Sequence, residues 1–285
     1  MSLASVAARH DDAGRCCVLT SSVNYLGHMD ELPVFYAQDQ ERNNLVLETH
    51  AVHISDARRL PVPPSLEVNG FTLVDHPTRV RDFMDRDRAR EIYRPEIESL
   101  LLRLTGADKV IVTNAVLRWS ERAGDHESFI NSRPARFVHV DYSRQSFDEF
   151  ARIHLGECAD AAARLGRRYA AYNIWRVITP PPQDVPLALC DARSTSADDV
   201  TTGEAVIDAP GVPEVRFGSS LYRANPAHRW YWFSDMRPDE ALVFKAFDSD
   251  RSRVQGCPHS AFDNPTCPER VPPRASVEIR AYAFY

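Results

Sequence analysis

The sequence predicts an α+β protein that is mainly β, with a jelly-roll-like barrel and helices packed on one side. From Ala170 onward, short β-rich runs recur between Pro, Gly, Asp and Ser residues. Earlier in the chain, the apolar residues that follow Thr78 recur at helical spacing. Many short strands separated by turn signals are typical of closed or sandwiched β units, whereas an alternating βαβ sheet would place helices between them.

Residues 1–106 are expected to form a partly helical N-terminal layer. Pro-rich turns around Pro61 precede a helical stretch that starts after Thr78, and Pro95 is placed to open a second helix. Gly106 is a candidate C-cap, because glycine readily adopts the left-handed conformation that ends many helices.

Residues 107–285 are expected to form the barrel core, within a single domain of residues 1–285. Lys109–Leu117 and Arg136–Tyr142 are predicted strands, joined by a polar loop from Ser120 to Arg133. An S-x-x-E capping box at Ser146 and Glu149 predicts a helical insert over about residues 146–168. Six further strands are predicted at Tyr172–Ile178, Leu187–Cys190, Glu214–Phe217, Arg229–Phe233, Ala241–Phe247 and Ser276–Phe284.

Composition and charge narrow the class of partner. Of the 285 residues, 44% are hydrophobic and 26% are charged, which is typical of globular proteins. No apolar run approaches the roughly 20 residues of a membrane helix. The formal net charge of −6 gives no broad attraction for nucleic acid or anionic membranes. We therefore expect a pocket for a small-molecule substrate, with no nucleic-acid or membrane partner; the oligomeric state stays open, with a homodimer as one option.

The basic residues are almost all arginine. Only Lys109 and Lys245 are lysines among 34 Lys and Arg residues. We interpret this bias, together with the many Ala and Pro residues, as codon bias of a GC-rich genome and not as phosphate recognition.

The cysteines and the N-terminus indicate a cytoplasmic location. The segment Met1–Cys16 has no continuous apolar core, so neither a secretory signal nor a lipid anchor is expected. The six cysteines form no C-x-x-C cluster, which favours free thiols in a reducing compartment. Cys257 and Cys267 flank His259, so a zinc site there is a weaker alternative.

Candidate metal ligands stand out in the segment Phe137–Tyr142. Successive side chains of a strand alternate between its faces, so His139 and Asp141 point the same way while Val138 and Val140 point the other way. One imidazole and one carboxylate are two of the three ligands of a 2-His-1-carboxylate triad, which binds Fe(II). The pair alone is also compatible with a structural His–Asp hydrogen bond.

A third ligand is available further along the chain. His259 follows Cys257 and Pro258 in a late β-rich region, and we prefer it as the third ligand. His228 is the alternative, but the residues that follow it include Arg237 in a proline-containing turn and not on a strand.

The last predicted strand carries polar residues on one face. Arg274, Ser276, Glu278 and Arg280 share that face, although the strand should line a core. An arginine fork matches a carboxylate, and a neighbouring serine hydroxyl adds a hydrogen bond, so Arg274 and Ser276 are suited to the distal carboxylate of a dicarboxylic keto acid. Lys245 is an alternative anchor if its side chain faces inward.

In addition to these candidate ligands and anchors, several stretches of the sequence carry a resemblance to one family. The chain resembles the CmcJ/NvfI/AsaB hydroxylase–desaturase family of Fe(II)/2-oxoglutarate-dependent oxygenases from about residue 25 to residue 284, most specifically in its C-terminal half. The stretches that carry the resemblance are Asn173–Arg176, Pro186–Ser194, Trp230–Phe233, Val243–Ser249 and Ser276–Ala281.

The resemblance implies a double-stranded β-helix fold that uses Fe(II), with 2-oxoglutarate and O₂ as cosubstrates. Carried over to this sequence, the family's motif implies three residues that bind the metal and two residues that bind 2-oxoglutarate. The metal ligands implied are His139, Asp141 and His259, and the 2-oxoglutarate residues are Arg274 and Ser276.

The substrate pocket is less defined. Asn173 and Trp175 share a strand face and are candidate lining residues, although Trp175 also suits an ordinary core position. Arg118 and Lys245 are further candidates. Relatives tend to carry an acidic residue and a histidine before the arginine, whereas this chain has the sequence Val112–Leu117 before Arg118.

The expected reaction is oxidation of an unactivated C–H bond of a small molecule in natural-product biosynthesis, by hydroxylation, desaturation, oxidative cyclisation or peroxide formation. Two other classes stay open. A metal-dependent hydrolase or isomerase on a cupin-like barrel would use the same three ligands around Zn²⁺ or Mn²⁺ and would not need Arg274. A non-catalytic partner subunit would retain the fold alone.

Overall fold

The computed structural model describes residues 9–10, 16–120, 131–156, 158–208 and 213–285. Residues 121–130, at the centre of the predicted polar loop, and most of the segment Met1–Cys16 lie outside the described residues. Within the described ranges the chain is mostly β, as the sequence predicts.

The strands follow one another along nearly the whole described chain. In chain order they are β1 (Arg9–His10), β2 (Cys16–Leu26), β3 (Val34–Tyr36), β4 (Leu47–Asp56), β5 (Phe71–Asp75), β6 (Lys109–Trp119), β7 (Asn131–Ser132), β8 (His139–Val140), β9 (Tyr169–Val177), β10 (Leu187–Cys190), β11 (Val200–Ile207), β12 (Val215–Tyr222), β13 (Trp230–Trp232), β14 (Glu240–Asp248), β15 (His259–Ala261) and β16 (Ala275–Phe284). The α-helices are α1 (Arg86–Thr105), α2 (Arg144–Leu155) and α3 (Ala161–Leu165).

These strands form two sheets that pack face to face. The large sheet has the order β1-β2-β4-β13-β10-β15-β8-β12-β11-β3, and the small sheet has the order β5-β14-β9-β16-β6-β7. Between them, Trp175, Leu242 and Phe244 of the small sheet pack against Leu189 and Phe233 of the large sheet. This pair of facing sheets is the predicted double-stranded β-helix.

Helix α1 covers the outer face of the small sheet. Ile97 and Leu101 are fully buried there, in one apolar cluster with Val243 and Ile279. Pro95 lies inside this single helix, so the predicted break at Pro95 is wrong. Proline removes one backbone hydrogen bond from a helix, and the apolar packing of the following turns compensates for that loss.

The ends of α1 follow standard capping chemistry. The helix begins at Arg86, eight residues beyond Thr78, and the residues between form bends and irregular backbone. The carboxylate of the N-cap residue Asp85 accepts a 3.1 Å hydrogen bond from the Arg88 amide. At the other end, Gly106 adopts a φ of 69° and its N–H donates to the Leu102 carbonyl, which confirms the predicted C-cap. No α-helix in the described part of the chain is both long and apolar enough to cross a membrane.

The N-terminal layer contains more strand than the sequence predicts. β2 and β4 pair along their whole length, and β4 then pairs with β13 in parallel, with Ile54 opposite Trp230. β5 pairs with β14 at the edge of the small sheet. These N-terminal strands therefore complete both sheets of the barrel.

The helical insert begins earlier than predicted and is divided. Ser143 is the N-cap of α2, and it exchanges capping hydrogen bonds with Ser146. The predicted capping box of Ser146 and Glu149 is therefore wrong; Glu149 instead accepts a hydrogen bond from Gln145. Gly156 caps the end of α2, and α3 is a separate short helix.

Strand β12 holds the segment that follows β8. The hydroxyls of Ser219 and Ser220 donate to the carbonyls of Val140 and Tyr142, at 3.0 and 2.9 Å. The Ser143 amide donates to the Gly218 carbonyl at 2.8 Å. β8 itself has only two residues, so these side-chain bonds replace the longer strand that the sequence predicts over Arg136–Tyr142.

Replacing Gly218 with alanine tests this attachment. A Cβ at Gly218 would overlap the Ser143 hydroxyl that caps α2. We expect Gly218→Ala to lower the free energy of unfolding by about 1–3 kcal/mol, as overpacking does. Urea denaturation measures the change.

Gly166→Ala is the matched control, because a Cβ added at Gly166 would lie 3.5 Å from its nearest neighbours, which is an ordinary van der Waals distance. We expect its effect to stay within about 0.5 kcal/mol. Equal stability of Gly218→Ala and the parent protein would contradict the proposed tight contact.

Candidate metal centre

Three ligand-type side chains meet inside the barrel. His139 lies on β8, Asp141 follows directly after that strand, and His259 begins β15. β8 and β15 are neighbours in the large sheet, with His259 opposite His139, and their ring centroids are 4.4 Å apart. All three side chains are buried, and one ligand atom from each lies within 4.8 Å of the others. Two imidazoles and one carboxylate in this arrangement suit a divalent first-row transition metal.

Backbone carbonyls orient both imidazoles. The Nδ1 atoms of His139 and His259 lie 3.0 and 3.1 Å from the carbonyl oxygens of Phe137 and Cys257. A carbonyl can only accept, so Nδ1 carries the proton in each ring and the Nε2 lone pair is available to a metal. Burial, together with the nearby His259 ring, lowers the pKa of His139 to about 3, which keeps this imidazole neutral.

Asp141 is held through one of its two carboxylate oxygens. Oδ2 accepts a 2.8 Å hydrogen bond from Arg280 Nε and another from Asn173 Nδ2. Oδ1 lies 3.7 Å from His139 Nε2 and thus faces the other ligands. Burial raises the pKa of this carboxyl, but the charge of the Arg280 guanidinium and its hydrogen bond outweigh burial and place the pKa well below its usual range. The carboxylate is therefore ionised.

A chain of charges continues from Asp141 along β16. Arg280 Nη2 lies 2.7 Å from Glu278 Oε1, and Arg118 Nε lies 3.4 Å from Glu278 Oε2. Asn173 Nδ2 also donates to Glu278 Oε1, at 3.2 Å. Glu278 and Arg280 lie on the predicted polar face of the last strand, although no role was predicted for them. The alternation of that strand is the sequence signal that could have identified them.

Arg274 lies on the same polar face, just before β16 begins, and has different neighbours from Arg280. Its Nε donates to the Val185 carbonyl at 2.7 Å, its Nη1 donates to the Ser276 hydroxyl, and its guanidinium carbon lies 5.6 Å from the Trp175 ring centroid. The residue is only 2% exposed, and no described carboxylate lies within ion-pair distance of its guanidinium. Burial, with the nearby Arg118 charge, lowers the pKa of Arg274 to about 9.

The small sheet contributes the two predicted lining residues. Asn173 is fully buried beside Asp141, and Trp175 packs in the apolar cluster between the sheets. Their strand neighbours face the other way: Arg176 donates hydrogen bonds to the His76 and Pro238 carbonyls on the helix-covered side. The predicted alternation of this strand is therefore present.

The competing ligand candidates are engaged elsewhere. Both ring nitrogens of His228 have partners, since Nε2 lies 3.1 Å from Asp199 Oδ2 and Nδ1 lies 2.8 Å from the Tyr25 hydroxyl. Among the described residues, Cys257 and Cys267 belong to no group that could hold a metal ion. The zinc alternative at these cysteines is therefore not supported.

Lys245 does not face the barrel interior, so its interpretation as an inward carboxylate anchor is wrong. It lies on the same strand face as Val243, which packs under α1. Its fully buried Nζ lies 3.0 Å from Asp248 Oδ2 and 3.5 Å from Glu67 Oε1. Both partners belong to this chain, so Lys245 already has its counter-ions.

A cavity of about 180 Å³ lies on the opposite side of the small sheet, between that sheet and α1. Phe83, Tyr93 and Leu117 are among its lining residues, and none of the three clustered ligands is. It is therefore separate from the candidate metal centre.

Comparison with known proteins agrees with this geometry. The family described as "Oxidoreductase/YMDC permease-like domain" matches residues 23–284. The hydroxylase/desaturase CTB9 of Cercospora beticola is 32% identical over 255 residues, which cover 84% of this chain and 77% of that protein. The Fe(II)/2-oxoglutarate-dependent dioxygenase nvfI of Aspergillus novofumigatus is 30% identical over 251 residues, covering 86% of this chain and 87% of that protein.

A solved structure extends the comparison to the fold. The iron and alpha-ketoglutarate-dependent endoperoxidase NvfI superposes with a TM-score of 0.79 and 25% identity, covering 95% of this chain and 99% of that one. The fold and the His-Asp-His cluster thus define an Fe(II)/2-oxoglutarate-dependent oxidoreductase. Within that class, the chain belongs to the hydroxylase/desaturase family that includes CTB9 and nvfI, with Fe(II) as cofactor and 2-oxoglutarate and O₂ as cosubstrates.

The placement of Lys245 can be tested by Lys245→Met. Because the buried Asp248 would lose one of its cationic partners, we expect the free energy of unfolding to fall by about 3 kcal/mol. The Michaelis constant for 2-oxoglutarate should stay within twofold of the parent value. Thermal denaturation and succinate formation measure the two effects.

Lys109→Met is the matched control, because Lys109 is the other lysine and its half-buried side chain contacts the Cys158 sulfur through Nζ, at 3.5 Å. We expect it to change stability by no more than about 0.5 kcal/mol. A Lys245→Met protein with parental stability and a much higher Michaelis constant would instead place Lys245 at the cosubstrate.

Proposed function

We propose that this chain oxidises an unactivated C–H bond of a small molecule, with Fe(II) held by His139, Asp141 and His259. The observation that carries the proposal is the buried cluster in which one ligand atom from each residue lies within 4.8 Å of the others. Two imidazoles and one ionised carboxylate match the 2-His-1-carboxylate set of non-heme Fe(II) oxygenases, which leaves coordination positions open. Family membership favours this function over a metal-dependent hydrolase or isomerase.

Arg274 and Ser276 are the proposed anchor for the distal carboxylate of 2-oxoglutarate. A buried guanidinium without a counter-ion is costly, and a dicarboxylate cosubstrate would supply the missing negative charge. Arg274 already has its Nε fixed on the Val185 carbonyl, so its remaining donors have a defined direction. Ser276, whose hydroxyl contacts Arg274, would add a hydrogen bond to the same carboxylate.

The protein's own contribution is binding, orientation and exclusion of water. When bound, Fe(II) with 2-oxoglutarate supplies the O₂ chemistry that attacks the C–H bond. The Nδ1 hydrogen bonds fix the imidazoles of His139 and His259, and the Arg280 contact fixes the carboxylate of Asp141. Apolar side chains around the cluster, such as Phe244 against the His259 ring, limit access of water.

The substrate class, the reaction outcome and the pocket residues are proposed from the same cluster and the same family membership. We propose a natural-product substrate and an outcome of hydroxylation, desaturation, oxidative cyclisation or peroxide formation; the endoperoxidase NvfI provides the precedent for the last. Asn173, Trp175 and Arg118 are proposed to line the pocket, with Arg118 held by Glu278 and by the Arg133 carbonyl. A single oxygenase domain over residues 1–285 and a cytoplasmic location complete the proposal, the latter supported by the four cysteines of the described side chains, all of which are free.

Anaerobic addition of Fe(II) and 2-oxoglutarate tests the metal site. We expect the parent protein to develop the weak visible charge-transfer band of the iron-bound cosubstrate. His139→Ala and His259→Ala should lose the band, because each removes one of three ligands. Absorbance spectroscopy under argon measures it.

His228→Ala is the control, because His228 is buried but bonded to Asp199 and Tyr25. Its band should match that of the parent. If the band is absent from the parent, or persists in both ligand variants, the metal assignment is wrong. If the band forms but an Asp141→Ala variant supports unchanged product formation by the pathway, the chain is a non-catalytic partner.

Arg274→Met tests the cosubstrate anchor. Loss of a charge-assisted hydrogen bond costs about 1.5–3 kcal/mol, so we expect the affinity for 2-oxoglutarate to fall about 10- to 150-fold. Isothermal titration of the Mn(II)-loaded protein measures that affinity without turnover. Arg136→Met, at a surface ion pair with Asp263, is the control and should bind 2-oxoglutarate like the parent. Unchanged affinity in Arg274→Met would assign the anchor to another residue.

A further inference from the structure

We propose that Arg280, together with Glu278, positions Asp141 so that only Oδ1 of its carboxylate is directed at the metal. This inference rests on the proposed function of Asp141 as a ligand. Arg280 touches neither of the other two ligands, so it is a positioning residue and acts through Asp141.

The contacts around Asp141 separate its two oxygens. Arg280 Nε and Asn173 Nδ2 both donate to Oδ2, whereas Oδ1 is the oxygen that faces His139 Nε2. A carboxylate oxygen that already accepts two hydrogen bonds, one of them charge-assisted, is a poor candidate for a further metal bond. Asp141 would therefore bind through one oxygen and leave one more coordination position open than a bidentate carboxylate would.

Arg280 is itself held in place from its other side. Its Nη2 donates to Glu278 Oε1 at 2.7 Å, and Arg118 approaches the second oxygen of Glu278 at 3.4 Å. The guanidinium is thus bound at two of its nitrogen atoms by carboxylates that come from different sheets. This geometry fixes the direction of the Nε donor, which a freely rotating cation would not do.

The charges in this chain also balance. Asp141 and Glu278 are 8% and 5% exposed, and Arg280 and Arg118 supply the two opposite charges. Removal of Arg280 alone would leave buried carboxylates with too few partners and could unfold the chain for reasons unrelated to the metal. A double exchange that removes one charge of each sign avoids this outcome.

The test compares the Arg280→Gln/Glu278→Gln protein with the parent in two measurements. Titration of the metal-free proteins with Co(II), followed by visible absorbance, gives the affinity and the coordination number. Partners behind a metal ligand typically change metal affinity about 10- to 100-fold, so we expect a loss in that range for the double variant. We also expect a Co(II) spectrum of higher coordination, because Oδ2 is released to bind the metal.

Arg58→Gln/Glu240→Gln is the matched control. This pair is also an arginine on a buried glutamate, with nitrogen–oxygen distances of 2.9 and 2.7 Å, but it lies away from the three ligands. The same exchange there should lower stability and leave both Co(II) measurements unchanged. A purely structural role for Arg280 predicts equal Co(II) behaviour in the two double variants, and that result would overturn the proposal.

A conservative variant decides the case if the double variant does not fold. Arg280→Lys keeps the charge but has one terminal nitrogen in place of the fork, so it should retain the fold and bind Co(II) several-fold more weakly. Parental affinity in Arg280→Lys would then refute the positioning role. Failure of the parent itself to bind Co(II) or Fe(II) would refute the proposed function, which is a separate result.

Discussion

The ion pair between Asp141 and Arg280 is the interaction on which the centre of the barrel depends. Asp141 follows β8 in the large sheet, and Arg280 lies on β16 in the small sheet, so the 2.8 Å contact joins the two sheets through their shared interior. The ion pair makes it possible to keep an ionised carboxylate beside the two imidazoles of the cluster.

The polar face of β16 carries two arginines with different surroundings, the buried Arg274 and the half-buried Arg280. Arg280 has its counter-ions within the chain, whereas Arg274 has no described carboxylate partner. The first arrangement suits a permanent structural role, and the second suits a group that is completed by a ligand. The same residue type thus has two different surroundings six residues apart, and these surroundings are the basis for proposing different roles.

The sequence was most informative where a short pattern determines the local structure. Alternation in strands correctly related His139 to Asp141 and Asn173 to Trp175, and Gly106 marked the end of α1. It was least informative for β2 and β4, whose polar residues are solvated on one face and whose burial depends on β13, a strand that is distant in the chain. Lys245 was misplaced because one of its two counter-ions, Glu67, is also distant in the chain, although the other, Asp248, is only three residues away.

The position of the ligands within the large sheet affects how the protein would lose its metal. β8 and β15 are adjacent and lie near the middle of ten strands, with β1 and β3 at the two edges. Edge strands and chain ends fray at small free-energy cost, whereas central strands open only in near-global unfolding. Local opening of the edge strands would therefore leave His139 and His259 paired. Release of the metal ion would require the central strands to open, and this is the slowest kind of backbone opening.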